Sequence, residues 1–84
     1  MILGTVKGSV WATTKDERLN GHKLMVVHTQ NGNTVIAADT VGAGIGDYVI
    51  LCYGNAARLS SNSPIDAAII GIVDSLETQH QDNT

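Results

Sequence analysis

Polar and apolar residues alternate with a period of two through the first part of the chain, from Ile2 to Thr13. The positions expected to share an inner face are Ile2, Gly4, Val6, Gly8, Val10 and Ala12. Such alternation predicts a long strand with one buried face. Two of the inner positions, Gly4 and Gly8, are glycines, which indicates strong coiling or a close backbone approach, as in a small closed barrel.

Further apolar segments predict four more strands. They are Lys23 to Gln30, Thr34 to Asp39, Tyr48 to Tyr53 and Ala67 to Val73. The dipeptide Asn31-Gly32 predicts a tight hairpin between the first two of these strands, because both residues accept a positive φ. The segment Tyr48 to Tyr53 is almost wholly apolar, so we expect it to be covered on both faces.

The connecting segments contain little that predicts helix. Residues 14–21 are polar and charged, residues 40–47 are rich in glycine, and residues 56–59 allow one helical turn at most. Residues 78–84 are polar and lack periodicity, which predicts a flexible tail. The fold class expected from this pattern is all-β: a single domain over residues 1–77, built as a small five-stranded OB-like closed barrel.

The composition favours an oligomer. The chain has 84 residues, of which 43% are hydrophobic but only 4% aromatic, so its core must be mainly aliphatic. A domain of this length buries only about 60% of its unfolded surface. With one cysteine the chain cannot form an internal disulfide. Small domains without such cross-links often gain stability from association with further copies.

Charge and hydropathy exclude several classes of partner. A net charge of −3 argues against a sequence-independent nucleic-acid binder, which needs clustered cations. No apolar run approaches the roughly 20 residues of a membrane span. The start of the chain lacks the basic and apolar regions of a signal peptide. Together with the single Cys52, these features predict a cytoplasmic protein with no membrane or nucleic-acid partner.

The glycine-rich connection resembles the start of a dinucleotide-binding motif. Its sequence is Gly42-Ala43-Gly44-Ile45-Gly46, but Asp47 then occupies the place of the last glycine. A strand-like run follows, whereas a dinucleotide site needs a helix whose N-terminus holds the pyrophosphate. A tight structural loop is therefore favoured over a nucleotide site.

No constellation of side chains predicts catalysis, a cofactor or a metal. The histidines, at positions 22, 28 and 80, lack the spacing of metal ligands. Cys52 lies in a covered strand and is expected to be an inert buried thiol. The carboxylates at strand ends and turns are expected to accept hydrogen bonds from backbone N–H groups. They are Asp39, Asp47, Asp66 and Asp74.

An OB-like barrel leaves one alternative function open, that of a small oligonucleotide- or ligand-binding module. Such modules use aromatic side chains in a basic groove. This chain offers Trp11, Tyr48 and Tyr53 with Lys7 and Lys23, but its net charge is negative.

Four blocks of sequence together resemble a known family. They are MILGTVKGSVWAT at residues 1–13, ADTVGAGIGDYV at 38–49, GNAAR at 54–58 and PIDAAIIGIVD at 64–74. In this order and at this spacing they resemble the EutN/CcmL family, the pentameric vertex proteins of bacterial microcompartment shells.

The resemblance implies a structural, non-enzymatic protein with an OB-like barrel. Five copies would form a ring that caps the five-fold vertices of a microcompartment shell in the cytoplasm, beside the hexagonal shell proteins of the same compartment. A heterologous interface generates such a ring.

The resemblance also implies that two loops lie near subunit contacts or the central opening. Their residues are Gly42, Ala43, Gly44, Ile45, Gly46, Asp47, Gly54, Asn55, Ala56, Ala57 and Arg58. Glycine suits places where backbones converge. Two roles remain open for Arg58: it fixes the interface through carbonyl contacts or an ion pair with Asp47 or Asp39, or it braces a loop within its own subunit.

Overall fold

The computed structural model describes residues 1–11, 17, 21–54 and 66–74, which form five strands. The strands are β1 (Ile2–Val10), β2 (Lys23–Thr29), β3 (Thr34–Asp39), β4 (Tyr48–Tyr53) and β5 (Ala67–Ile72). They close into a barrel in the order β1-β2-β3-β5-β4. Neighbouring strands are antiparallel except β3 and β5, which run parallel. The predicted all-β barrel is confirmed, and β3 and β4 have the predicted bounds.

Several expectations fall on residues outside the described ranges. These are the solvated loop over most of residues 14–21, the single helical turn at 56–59 and the flexible tail at 78–84. The domain boundary at residue 77 stays a prediction. In the part of the chain that the structure describes, no helix is long and apolar enough to span a bilayer.

The barrel interior is filled by aliphatic side chains from every strand. Those with the largest buried volume are Val6, Met25, Val27, Val49, Leu51 and Ile69, each at most 1% exposed. Ala37, Ala43 and Ala67 complete the cluster. Small side chains at these positions allow the strands of a narrow barrel to approach one another.

Gly4 lies where three strands converge, as its inner position predicted. A Cβ at this position would lie 2.7 Å from Val27 Cγ1, 2.9 Å from the carbonyl oxygen of His28 and 3.3 Å from Leu51 Cδ1. Two of these neighbours belong to β2 and one to β4. Because one of the close atoms is backbone, the barrel can close here only around glycine.

A β-bulge at Lys7 divides β1 and corrects the predicted alternation. Val6 pairs with Val27, but Gly8 pairs with Val26, so Lys7 has no partner in the register. The bulge moves Ser9 opposite the buried Met25 and turns Gly8 and Val10 to the outer face. The inner face predicted for Gly8 and Val10 is wrong, and a Cβ at Gly8 would meet no atom within 4 Å.

The β2–β3 hairpin lies where Asn31-Gly32 predicted it, with a slightly longer loop. The Gly32 N–H donates to the Thr29 carbonyl oxygen at 3.0 Å, and Gly32 has a φ of 92°. The Thr29 N–H donates to the Asn33 carbonyl oxygen at 2.7 Å and closes the loop. This is the pattern of a type I turn followed by a residue of positive φ, typical of three-residue hairpin loops.

Candidate subunit-contact surfaces

The glycine-rich loop, residues 40–47, connects β3 to β4 and contributes to the barrel core. Ala43 is 1% exposed and packs in the same cluster as Val6, Val49 and Ile69. At the β3 end of the loop, the Thr40 hydroxyl donates to the Ile69 carbonyl oxygen at 2.8 Å. The centre of the loop is therefore held by the interior of its own subunit.

Two carboxylates hold the loop in shape by accepting backbone N–H groups. Asp39 Oδ1 accepts from the N–H groups of Val41 and Gly42, both at 3.0 Å. Asp47 Oδ2 accepts from the Gly44 N–H at 2.8 Å. The interpretation of these two aspartates as acceptors for backbone donors is confirmed. For Asp66 and Asp74 it stays a prediction.

The loop is also fastened to β1. The Gly46 N–H donates to the Val6 carbonyl oxygen at 2.8 Å, and the Val6 N–H donates to the Asp47 carbonyl oxygen at 2.9 Å. Gly46 has a φ of 94°, a conformation that favours glycine. Between these anchors the side chain of Ile45 is 71% exposed. The loop thus presents an isoleucine on a well-fixed backbone.

The second predicted loop begins at Gly54. Its N–H donates to the Asp66 carbonyl oxygen at 3.0 Å, which joins the end of β4 to the start of β5. Asn55, Ala56, Ala57 and Arg58 lie outside the described residues. Both roles suggested for Arg58 therefore remain open. Of the predicted contact residues, the structure describes Gly42 to Asp47 and Gly54, and their place near a subunit contact stays a prediction.

The described residues contain no group of three or more His, Cys, Asp or Glu side chains that could hold a metal ion.

Cys52 is 6% exposed, so the burial predicted for its thiol is confirmed. It packs with Ala38 and Ala68 in a second small cluster, separate from the barrel interior. Val49 and Leu51 of β4 are also buried as expected, but Ile50 is only half-buried and Tyr53 is 41% exposed, so the expected cover on both faces of β4 is wrong for the outer face.

Two apolar patches on the outside of the barrel could not be read from the sequence. The first, here called the β4 patch, consists of Leu3, Ile50, Gly71 and Ile70. Leu3 and Gly71 flank Ile50 in the register, and Ile70 is an extra residue at a bulge in β5 with 39% of its surface exposed. The second, here called the β2 patch, consists of Gly8, Val26 and Ile36, which are neighbours across β1, β2 and β3.

Both patches depend on bulges. The bulge at Lys7 turns Gly8 outward, and the bulge at Ile70 brings Gly71 opposite Ile50. Simple alternation along the sequence assigns Gly8 to the interior, so the β2 patch was missed. No feature of the hydrophobic pattern marks the two bulge positions.

Comparison with known proteins identifies the family. The family model described as Ethanolamine utilisation protein EutN/carboxysome matches residues 1–74. The chain belongs to the EutN/CcmL family. It is similar to the bacterial microcompartment shell vertex protein GrpN of Rhodospirillum rubrum, at 47% identity over 93% of this chain and 98% of that protein. It is also similar to the carboxysome shell vertex protein CcmL of Nostoc, at 35% identity over 94% of this chain and 88% of that protein.

Solved structures in the EutN/CcmL family have the same barrel. The structure of GrpN from Rhodospirillum rubrum, described as a pentameric microcompartment shell protein, superposes with a TM-score of 0.86 at 46% identity. The match covers 95% of this chain and all of that chain. The resemblance drawn from the four sequence blocks is confirmed.

Proposed function

We propose that this chain is a structural subunit that forms homopentamers and closes the five-fold vertices of a bacterial microcompartment shell in the cytoplasm. The observation that carries the proposal is the similarity to the pentameric shell protein GrpN, which extends over 95% of the chain. At 46% identity, both the barrel and its surfaces are expected to be used in similar ways.

The described surface supports assembly on physical grounds. Its large exposed hydrophobic residues are Met1, Trp11, Ile36, Val41, Ile45, Tyr53, Ile70 and Ile72. That is a large apolar surface for a short chain whose buried core is aliphatic. Burial of apolar surface between copies contributes about 25 cal/mol per Å² to stability, before the cost of association. A small domain gains more from this contribution than a large one, because it buries a smaller fraction of its surface when it folds alone.

The role at a vertex follows from geometry. Hexagonal tiles alone cover a flat sheet, and five-fold units introduce the curvature that closes it into a polyhedron. The partners of the pentamer are then further copies of this chain and the hexagonal proteins of the same shell. No catalytic step is required of the protein, and none is assigned to it.

The loop from Gly42 to Asp47 fits a place near the subunit contacts or the central opening. Its hydrogen bonds to Asp39, Asp47 and β1 fix the backbone before assembly. A fixed loop loses little conformational entropy on association, which favours its use in an interface. Ile45 is the side chain of the loop that is best placed to contact a neighbour, since Ala43 is buried in its own barrel.

The alternative of an oligonucleotide-binding module is not favoured by the structure. OB-fold proteins bind oligonucleotides on the face of strands 2 and 3. On this face the outward residues of β2 and β3 include Leu24, Val26 and Ile36, which are aliphatic and cannot stack on bases. The aromatic residues Trp11, Tyr48 and Tyr53 lie outside both strands.

The proposal is tested by producing the hexagonal shell proteins of a microcompartment with and without this chain. We expect closed polyhedral shells by electron microscopy when the chain is present, and open sheets, tubes or shells with missing vertices when it is absent. Shells that close equally well without the chain would contradict the assigned role.

A further inference from the structure

We infer that the Asn31-Gly32 dipeptide is a deamidation site that the folded β2–β3 hairpin keeps closed, and that Thr29 is the residue that closes it. Asparagine followed by glycine is the dipeptide most prone to this spontaneous modification, because glycine has no side chain to hinder its amide nitrogen. Both residues are exposed, so water reaches them. The modification is a property of one loop and is independent of the proposed shell function.

Deamidation at this site needs only water as a co-reactant. The amide nitrogen of Gly32 loses its proton and attacks Cγ of Asn31. A bond forms between these two atoms, the bond from Cγ to Nδ2 breaks, and Nδ2 takes up a proton and leaves as ammonia. Water then opens the succinimide ring at either carbonyl and gives aspartate or isoaspartate. Either product carries a new negative charge, and isoaspartate also lengthens the backbone of the loop by one atom.

The turn holds the attacking nitrogen away from Cγ of Asn31. The Gly32 N–H donates to the Thr29 carbonyl oxygen at 3.0 Å, so Asn31 occupies the third position of a type I turn. Residues at that position have a ψ of about 0°. Ring closure requires Cβ of Asn31 to eclipse the Gly32 nitrogen, which needs a ψ about 120° away because the bonds at Cα are tetrahedral. The same hydrogen bond also retains the proton that the Gly32 nitrogen must lose.

The side chain of Asn31 is held in place as well. Its Oδ1 lies 2.6 Å from the Thr29 hydroxyl oxygen and 3.5 Å from Asn33 Nδ2. The Thr29 hydroxyl oxygen also accepts from the Asn33 N–H at 3.1 Å, and only 2% of Thr29 is exposed. One buried hydroxyl therefore joins the amide of Asn31 to the backbone that closes the loop.

Deamidation must therefore proceed through an open form of the hairpin. For a group that reacts only after local opening, the observed rate is the rate in the open chain multiplied by the open fraction. Removal of the Thr29 hydroxyl costs the closed loop about one net hydrogen bond, which raises the open fraction roughly fivefold. The chain contains the same dipeptide once more, at Asn20-Gly21, and this provides a reference for the unfolded chain.

The first test compares the wild-type chain with and without guanidinium chloride at mildly alkaline pH, by mass spectrometry of its peptides. In denaturant we expect Asn31 and Asn20 to be converted at similar rates. Without denaturant we expect the conversion of Asn31 to be at least about tenfold slower. In denaturant, Gly32→Ala should slow the conversion of Asn31 and leave that of Asn20 unchanged, because the attacking nitrogen then carries a more hindered residue.

The second test removes the Thr29 hydroxyl. Without denaturant, we expect Thr29→Val to convert Asn31 roughly fivefold faster than the wild type, whereas Thr29→Ser keeps a hydroxyl and should keep the site closed. Two matched controls should react like the wild type. Thr34→Val makes the same exchange at an exposed residue of β3, and Ile69→Val lowers the stability of the barrel core outside the hairpin.

Conversion of Asn31 as fast in the folded wild type as in denaturant would overturn the inferred protection. A Thr29→Val variant as slow as the wild type, or controls as fast as Thr29→Val, would overturn the role of Thr29. A reaction slower in Thr29→Val than in the wild type would overturn that role too, because the hydroxyl would then assist the attack by donating to the oxyanion that develops at Oδ1. Circular dichroism and native mass spectrometry must show the same fold and the same assembly in all variants compared without denaturant.

Discussion

The two halves of β1, on either side of the bulge at Lys7, look alike in sequence and differ in the structure. Residues 2–5 pair with β4, and residues 4–6 pair with β2, so the first half is enclosed by the barrel. Residues 8–10 pair with β2 alone. Each half contains a glycine: Gly4 has backbone and side-chain atoms within 3 Å of an ideal Cβ, and Gly8 has none within 4 Å. The first half is constrained by its own fold, and the second is available to a partner.

The strongest test of this contrast is to add one methyl group to each half. We expect Gly4→Ala to lower the free energy of unfolding by about 3 kcal/mol, because the Cβ would overlap Val27 Cγ1 and the His28 carbonyl oxygen. For a domain of this size the melting temperature should fall by more than about 10 °C. Thermal denaturation followed by circular dichroism, at one fixed protein concentration, measures the change.

Gly8→Ala is the matched control for that experiment. We expect the free energy of unfolding of the single, dissociated barrel to change by less than about 1 kcal/mol, since the added Cβ meets no atom of its own chain and alanine is the more favourable residue within a strand. Equal losses of stability in the two variants would show that the halves of β1 are constrained alike.

A smaller effect is expected beside the enclosed half, at the β2–β3 hairpin. The Gln30 N–H donates to the Leu3 carbonyl oxygen at 2.8 Å, so this hairpin is attached to the first half of β1. The Thr29 hydroxyl is buried, donates to Asn31 Oδ1 at 2.6 Å and accepts from the Asn33 N–H at 3.1 Å. Thr29→Val keeps the shape and removes these bonds, together with the contact of the hydroxyl to the Asn33 carbonyl oxygen at 3.0 Å. We expect a loss of about 1 to 2 kcal/mol in urea denaturation.

The exposed Thr34 on β3 provides the comparison for Thr29. Its replacement by valine should change the free energy of unfolding by no more than about 0.5 kcal/mol, as is usual at the surface. If the two substitutions cost the same, the hydrogen bonds of Thr29 would not be what stabilises the hairpin.

The smallest effect is expected at the junction of the two halves, where the glycine-rich loop is bonded to Val6. Asp47→Ala removes the acceptor of the Gly44 N–H and should cost about 1 kcal/mol. Hydrogen exchange followed by NMR gives a local measure: the Gly44 amide should exchange faster in this variant. Asp74→Ala, at an exposed carboxylate after β5, should leave the exchange of Gly44 unchanged. If the Gly44 amide exchanged at the same rate in Asp47→Ala as in the wild type, the Asp47 side chain would not be what stabilises the loop.

The fold could be predicted from the sequence because its strands are marked by local features. The alternation before Lys7, the Asn31-Gly32 turn and the apolar run of β4 each depend on neighbouring residues. The closed barrel was inferred from five strands with little helix and from a close approach at Gly4 and Gly8, and the structure shows that approach at Gly4 but not at Gly8. The alternation and the glycine concern the barrel interior, where close packing allows few alternative arrangements of the strands and side chains.

The candidate surfaces were predicted less completely, and the reason is also physical. A bulge adds one residue to one strand and inverts every later side chain, yet it costs little and has no required residue type. The bulge at Lys7 turns Gly8 to the outer face, and no residue type at this position predicted it. The place of the loop from Gly42 to Asp47 at a subunit contact stays a prediction, and the burial of Ala43 depends on tertiary packing that no local pattern encodes.

The most direct test of the account is the mass of the wild-type chain in solution, by native mass spectrometry. The account predicts five copies, 5 × 8.8 = 44 kDa, at micromolar concentration. A stable species of 8.8 kDa would contradict it, because a barrel that remains single leaves its apolar patches without the neighbour that the proposed pentamer requires.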